Sequence, residues 1–243
     1  MPLHGPLACT RCWSNRTERV QECGTFRLVR DPGHWGAADP HTLVLGISKG
    51  NTQSQAFSSE RFENVGFKGI RDRMLQSFQA VGLLHDESAK RFDQRFSADE
   101  RDFAFASVVR CSITGMHKTK GIHTADSPNV VPAFKRGSAG YAFVKNCVDE
   151  FIAPLSSRTR LVLLLGNSDA YVSALADVVE QVRGPLTWVN QLSYDCRGIR
   201  FVHVAHPSKG NGHFGAFLRG EGTPGLKREL ARDAIKPLVA LTK

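Results

Sequence analysis

Four runs of apolar residues divide the chain, each too short for a helix and each closed by small or polar residues. Leu43-Val44-Leu45-Gly46, Phe103 to Val109, Leu161 to Leu165 and Ile199 to Ala205 predict strands buried on both faces. Between them the apolar period changes to three and four. Ile70, Met74, Phe78 and Val81 predict a helix over about Gly69 to Gln79, and Tyr141, Val144, Cys147, Val148 and Phe151 predict another from Tyr141 to Ile152. Val172, Leu175, Val179 and Val182 share a third helical face, with Asn167 or Ser168 as N-cap and Gly184-Pro185 as the stop. A last amphipathic helix is predicted from about Leu226 to Leu241. Strands that alternate with helices pair in parallel through crossovers, so the fold class is α/β: a three-layer α/β/α sandwich with a central, mainly parallel, four-stranded sheet.

The remaining segments lack a sustained period. Residues 1–39 predict an irregular N-terminal cap that contains cysteines, and residues 112–138 a long insertion loop, all within a single domain over 1–243. In such sheets ligands bind beyond the carboxyl ends of the strands. The polar segments that follow those ends, Gly46 to Gln53, Cys111 onward, Gly166-Asn167 and His206 to Asn211, are therefore expected to gather along one edge.

Charge and cysteine usage narrow the chemistry. The 32 Lys and Arg against 23 Asp and Glu leave a net charge of +9, which suits a polyanionic partner because each neutralised phosphate releases a counterion. No cationic start followed by an apolar region opens the sequence, and Leu161 to Leu165 falls far short of the ~20 apolar residues a membrane helix needs. A cytoplasmic protein is predicted. There, six cysteines read as ligands, catalysts or core residues more readily than as disulfides.

Six segments, taken in order, carry a resemblance. They are Cys9-x2-Cys12, Leu45-Gly46-Ile47-Ser48-Lys49-Gly50, Ala106-Ser107-Val108-Val109-Arg110-Cys111, Cys147, Leu164-Leu165-Gly166 and His206-Pro207-Ser208. This order resembles the uracil-DNA glycosylase superfamily, most closely its iron-sulfur branch, family 4. The resemblance implies a uracil-DNA glycosylase-like fold and a monomeric, monofunctional DNA N-glycosylase of base-excision repair. Its substrate would be DNA containing a damaged or deaminated base, and no membrane would be involved. It also implies a 4Fe-4S cluster on Cys9, Cys12, Cys111 and Cys147, which is chemically reasonable because four thiolates satisfy such a cluster. Tetrahedral zinc is the alternative, Cys23 could replace one ligand, and Cys111 and Cys147 could also be ordinary buried cysteines.

By the same resemblance His206 would face the extruded base and stabilise its negative charge as the glycosidic bond breaks. Ser208 with the amides of Lys209 and Gly210 would grip phosphate, Lys209 or Asn211 would fill the hole left by the nucleotide, and His213 and Phe214 could extend that wedge. Gly46, Ile47 and Ser107 would contact the base, with Phe62 or Phe67 stacked on it. Motif A departs from the family's pattern. Ser48 stands where many members carry Asp or Asn to orient water, Asn51 and Gln53 are nearby amides, and Lys49 adds a cation in place of proline. Ser107 replaces the asparagine that reads uracil, and a hydroxyl cannot reproduce a two-point amide contact. The insertion, with His117, Lys118, Lys120, His123, Lys135 and Arg136, either serves the cleft or is a surface excursion.

Two other classes remain open on the sequence. One is a catalytically silent nucleic-acid-binding protein on the same scaffold. The other is an α/β enzyme acting on a free phosphorylated metabolite, with structural zinc, although no G-x-G-x-x-G or Walker-type loop is present.

Overall fold

The computed structural model describes residues 2–13, 15 and 17–240. The N-terminal segment forms four short strands, β1 (Gly5–Pro6), β2 (Val20–Cys23), β3 (Phe26–Val29) and β4 (Gly33–Gly36). There follow β5 (Thr42–Ser48), helices α1 (Asn51–Ala56), α2 (Phe62–Val65), α3 (Arg71–Ala80) and α4 (Ala89–Gln94), and strand β6 (Phe103–Val109). The next segment contains β7 (Ser112–Met116), β8 (His123–Thr124), α5 (Ser127–Val130) and a 3-10 turn over Val131–Phe134, and leads into α6 (Tyr141–Phe151). The chain continues through β9 (Leu161–Leu165), α7 (Asp169–Arg183), β10 (Thr187–Asn190), β11 (Ser193–Cys196), β12 (Ile199–Val204), α8 (Phe214–Arg219) and α9 (Gly222–Ala240). The last helix thus begins a turn before its predicted start, and its predicted end, Leu241, lies outside the described residues.

The four predicted strands lie side by side, β6-β5-β9-β12, and pair in parallel. Beyond β6 the sheet continues through antiparallel β4 and β1, and beyond β12 through antiparallel β11 and β10. The protein is therefore α/β with a mixed, eight-stranded central sheet rather than a four-stranded one. The added strands are four residues or fewer, and their pairing comes from the neighbours they meet rather than from any period of their own.

Alternate residues of the central strands enter two separate apolar cores. Leu43, Leu45, Ala104, Ala106, Val162 and Leu164 pack with α6 and α7 on one face. Val44, Phe105, Leu163, Val202 and Val204 pack with α3, α4, α8 and α9 on the other. Cover on both faces is why these strands read as continuous apolar runs. From β5 the chain moves outward to β6 and then returns to the other side of β5 as β9, so the strand order reverses between β5 and β9. A crevice opens at the carboxyl ends of strands at such a reversal.

Two expectations need correction. The cap is not irregular: β1 and β4 join the central sheet, while β2 and β3 build a second sheet of order β2-β3-β7-β8. The insertion is not a long loop either, since β7, β8, α5 and the 3-10 turn occupy most of it. The buried carboxylate of Asp31 joins the pieces. It accepts from the Ser112 amide (2.8 Å) and hydroxyl (2.7 Å) and pairs with the Lys49 ammonium (3.1 Å), so that cap, β5 and β7 meet at one side chain.

Helix α5 lies close against β7, and a Cβ placed at Gly115 would overlap the Asn129 carbonyl. Gly115→Ala should therefore displace α5 and cost on the order of 1–3 kcal/mol. Urea denaturation would measure the loss, and an unchanged midpoint would mean that the contact is soft.

Candidate functional site

A cleft of about 850 Å³ opens at the β5/β9 reversal. Ile47 comes from the end of β5, Gly166 from the end of β9, and Ala205 and His206 follow β12. The insertion forms the opposite wall with His117, Asp126 and Asn129, and α7 and α9 add Tyr171 and Lys227. The insertion thus lies beside the cleft, although of the residues singled out from its sequence His117 lines it and Lys118, Lys120, His123, Lys135 and Arg136 do not. Tyr171 reaches the floor because Gly166 has no Cβ, which would sit 2.8 Å from the tyrosine ring, and the Gly166 φ of +145° favours glycine.

His206 sits at the mouth of this crevice with an edge toward the cleft and the rest of the imidazole enclosed by protein. The enclosure strips water from the ring and lowers its pKa from 6.5 to about 4. Its Nδ1 accepts the amide N–H of Ser208 at 3.1 Å. A neutral imidazole that accepts at Nδ1 carries its proton on Nε2, so at neutral pH the ring is a fixed, uncharged donor.

The loop after it is braced from behind. The Arg73 guanidinium donates to the carbonyls of Pro207 (2.7 Å) and Ser208 (3.0 Å) and stacks over Phe214 at 4.2 Å. With those carbonyls turned toward Arg73, the trans Ser208–Lys209 peptide directs its N–H the opposite way. Among the described residues the amides of Lys209 and Gly210 have no backbone partner. Asn211 differs from its prediction, because its amide donates to the His206 carbonyl at 2.8 Å and its Oδ1 accepts the His213 N–H at 3.1 Å. It staples the loop and is not free to fill a vacated base position. Phe214 is buried beneath Arg73 and is no wedge, whereas Ser208, Gly210 and His213 line the cleft and Lys209 stands exposed at its rim.

Most of the motif A candidates serve the interior instead. The Ser48 hydroxyl accepts from the Ile113 amide (3.2 Å), and its one proton has the carbonyls of Lys49 (3.1 Å) and Ile113 (3.3 Å) within reach, which ties β5 to β7 away from the cleft. Lys49 is 1 % exposed, paired with Asp31 and seated over the Phe57 ring at 4.2 Å, so it cannot contact a DNA backbone. Asn51 opens α1, but its side chain lies outside the described residues. Gln53 accepts the amide N–H of Phe67 at 2.9 Å, which holds that residue at a φ of +53°. Phe67 is buried against Gly46 and beside Phe96 and Phe105, while Phe62 stacks on Trp35 with centroids 4.6 Å apart. Neither phenyl lines the cleft. Ser107 is buried next to Gly46, and of the predicted base contacts only Ile47 reaches the cleft wall.

The four candidate cysteines occupy one region of the core beneath the cap. Cys9 and Cys12 pack on the apolar cluster that contains Cys111 and Cys147, and Cys12 Sγ accepts from Asn146 Nδ2 at 3.5 Å. Burial raises the Cys147 thiol to about 12, and the nearby charges of Cys12 and Cys9 push it the same way. Burial also raises Cys111 well above 9, with Cys147 adding to the effect. The four thiols thus sense one another. As they stand, however, no group of three or more His, Cys, Asp or Glu among the described residues is set to hold a metal ion. Cys23 is exposed on β2, and Cys196 is buried against the Gly184 carbonyl.

One neighbour of these sulfurs lacks a counterpart. Arg110 is 1 % exposed, its three guanidinium nitrogens have no hydrogen-bond partner among the described residues, and it lies over the face of Phe151 (4.8 Å) with Cys147 and His34 nearby. The Trp13 indole N–H in the same core cluster is likewise unmatched. A buried cation and a buried donor without acceptors are costly, and an anionic sulfur-ligated centre is the kind of group that would satisfy both.

Neither the protein-family models nor the curated proteins searched contain a match to this chain. Among the described residues no helix is long and apolar enough to cross a membrane.

His34, with its Nε2 bonded to the Ala37 carbonyl, and His203, with its Nδ1 bonded to the Gly166 carbonyl, are also held neutral by burial, at about 3 and about 4. All three folded values lie below the ordinary 6.5, so the unfolded chain takes up the protons first. The contribution of these three groups is complete above pH 6.5 and should fall, by several kcal/mol in all, as the pH drops from about 6.5 toward 3. Denaturation series across that window measure the loss, and His206→Gln should flatten the slope.

Proposed function

We propose that the protein is a monofunctional DNA glycosylase on a three-layer, uracil-DNA glycosylase-like scaffold, which extrudes a damaged or deaminated base into the β5/β9 cleft and hydrolyses its N-glycosidic bond. The observation that carries this reading is the neutral His206, locked by the Ser208 amide with its Nε2 proton available. Such a donor stabilises the anionic leaving base without first having to lose or gain a proton. The unpartnered amides of Lys209 and Gly210, the Ser208 hydroxyl and the net charge of +9 support phosphate contacts beside it. The Lys227 ammonium in the cleft is engaged by Asp169 and the Asn167 carbonyl rather than free for a Schiff base, so in this reading the product is an abasic site without strand cleavage.

A second reading, base recognition without cutting, is favoured by one observation: the Ser48 hydroxyl is spent on Ile113, and motif A places no acid in the cleft. Incubation with duplexes that carry uracil, hypoxanthine or xanthine, followed by alkali, separates the two. Alkali-labile sites on at least one lesion are expected, with a loss of about 10²–10³-fold in His206→Ala. Tight, salt-sensitive binding with no abasic product would leave only the second reading.

The same proposal gives Cys9, Cys12, Cys111 and Cys147 to a 4Fe-4S cluster, with zinc as the alternative. A bound cluster would supply a structural brace between cap, strand end and helix. Burial opposes free thiolates at Cys111 and Cys147; a bound metal would deprotonate them, and the Arg110 cation would balance the net negative charge of such a centre. If the centre is anionic, Arg110→Met should lower both metal content and thermal midpoint, with a stability loss of roughly 3–5 kcal/mol for a broken buried pair. If no anion is there, removal of an unpaired buried cation should raise the midpoint.

A further inference from the structure

The cleft contains two carboxylates, and they differ in how they are engaged. Asp169 opens α7 and is held by Lys227, whose ammonium lies 2.7 Å from its Oδ1 and also donates to the Asn167 carbonyl at 2.8 Å. Asp126 has no ion-pair or side-chain hydrogen-bond partner among the described residues. Although it precedes α5, its carboxylate does not cap that helix, and only its backbone carbonyl is used, accepting the amides of Asn129 (2.9 Å) and Val130 (3.1 Å).

The position of Asp126 is nevertheless fixed. The β7–β8 hairpin is registered by Gly115↔Thr124 and Met116↔His123. Asn129 Nδ2 donates to Thr124 Oγ1 at 2.8 Å, and α5 rests on the bare Gly115 backbone. A short helix held through Asn129 thus presents a carboxylate, unpaired among the described residues, to the cleft that also receives His206.

We infer that Asp126 is the group that orients the attacking water and accepts its proton, supplying from the insertion what motif A lacks at Ser48. The inference rests on the glycosylase reading and adds a residue to it. In the step, the water oxygen forms a bond to C1′ of the deoxyribose as the C1′–N bond breaks. The electron pair of the broken bond departs with the base, and the charge that develops there meets the Nε2–H of His206. The water proton passes to the Asp126 carboxylate. The products are the free base and the abasic sugar, so hydrolysis balances with no other reactant. An exposed carboxylate and an enclosed donor lining one cleft are a suitable division of labour, since the nucleophile to be activated, water, comes from the open side.

Single-turnover excision by the full chain tests this on whichever lesion duplex the wild type cuts. Asp126→Asn should lose a hundredfold or more in rate. DNA affinity and thermal midpoint should hardly change, because the carboxylate supports no fold contact. Asp126→Ala should recover part of the rate with added formate, a small carboxylate that can occupy the vacated space, which a purely structural role would not allow. If Asp126→Asn cuts within a few-fold of wild type while His206→Ala does not cut, the water-activating role is wrong and the glycosylase reading stands. If the wild type releases no base from any lesion, both fall together.

Discussion

A single buried carboxylate, Asp31, sets how the parts of this molecule meet. Its two oxygens are shared by the Ser112 amide and hydroxyl and by the Lys49 ammonium, and all three of those residues are nearly inaccessible to water. Removal of either charge would leave the other stranded in a low-dielectric interior, which is far worse than never having buried the pair. The arrangement therefore pins the N-terminal strands to the end of β5 and the start of β7. From that junction follow the placement of the cap over Cys111, the direction in which the insertion leaves β6, and the engagement of Ser48 with Ile113.

The cleft is assembled from segments that have little to do with one another in sequence. Its donor comes from the turn after β12, its floor from α7, and its free carboxylate from the insertion. What they share is the reversal of strand order between β5 and β9, which leaves room at the sheet edge that neither neighbouring helix fills. Chemical character in this region is set by environment more than by residue type. His206 is kept neutral by enclosure, and in the core beneath the cap the Arg110 guanidinium has no hydrogen-bond partner among the described residues.

The central strands and long helices were legible because burial on both faces writes continuous apolar runs and amphipathic helices write a three-four period. The flanking strands were not, because a segment such as Gly33–Gly36 has too few residues to show a period and pairs only once β6 is in place. Candidate residues divided along similar lines. His206 could be placed from its position directly after an apolar strand. The resemblance assigned Lys49 and Phe62 to the cleft, yet tertiary partners claim them: Asp31 pairs with Lys49 from the cap, and Trp35 stacks on Phe62 with nothing in the local pattern to announce it. Asp126 carried no sequence signal, since its exposure to the cleft depends on a helix of four residues seated on a glycine.

The grip of Arg73 on two successive carbonyls, with Phe214 beneath it, has a thermodynamic consequence for any ligand of the His206 turn. A turn already held in one shape loses little freedom when a partner docks, so more of each new contact remains as net affinity. Encounter need not wait for a rearrangement of this segment.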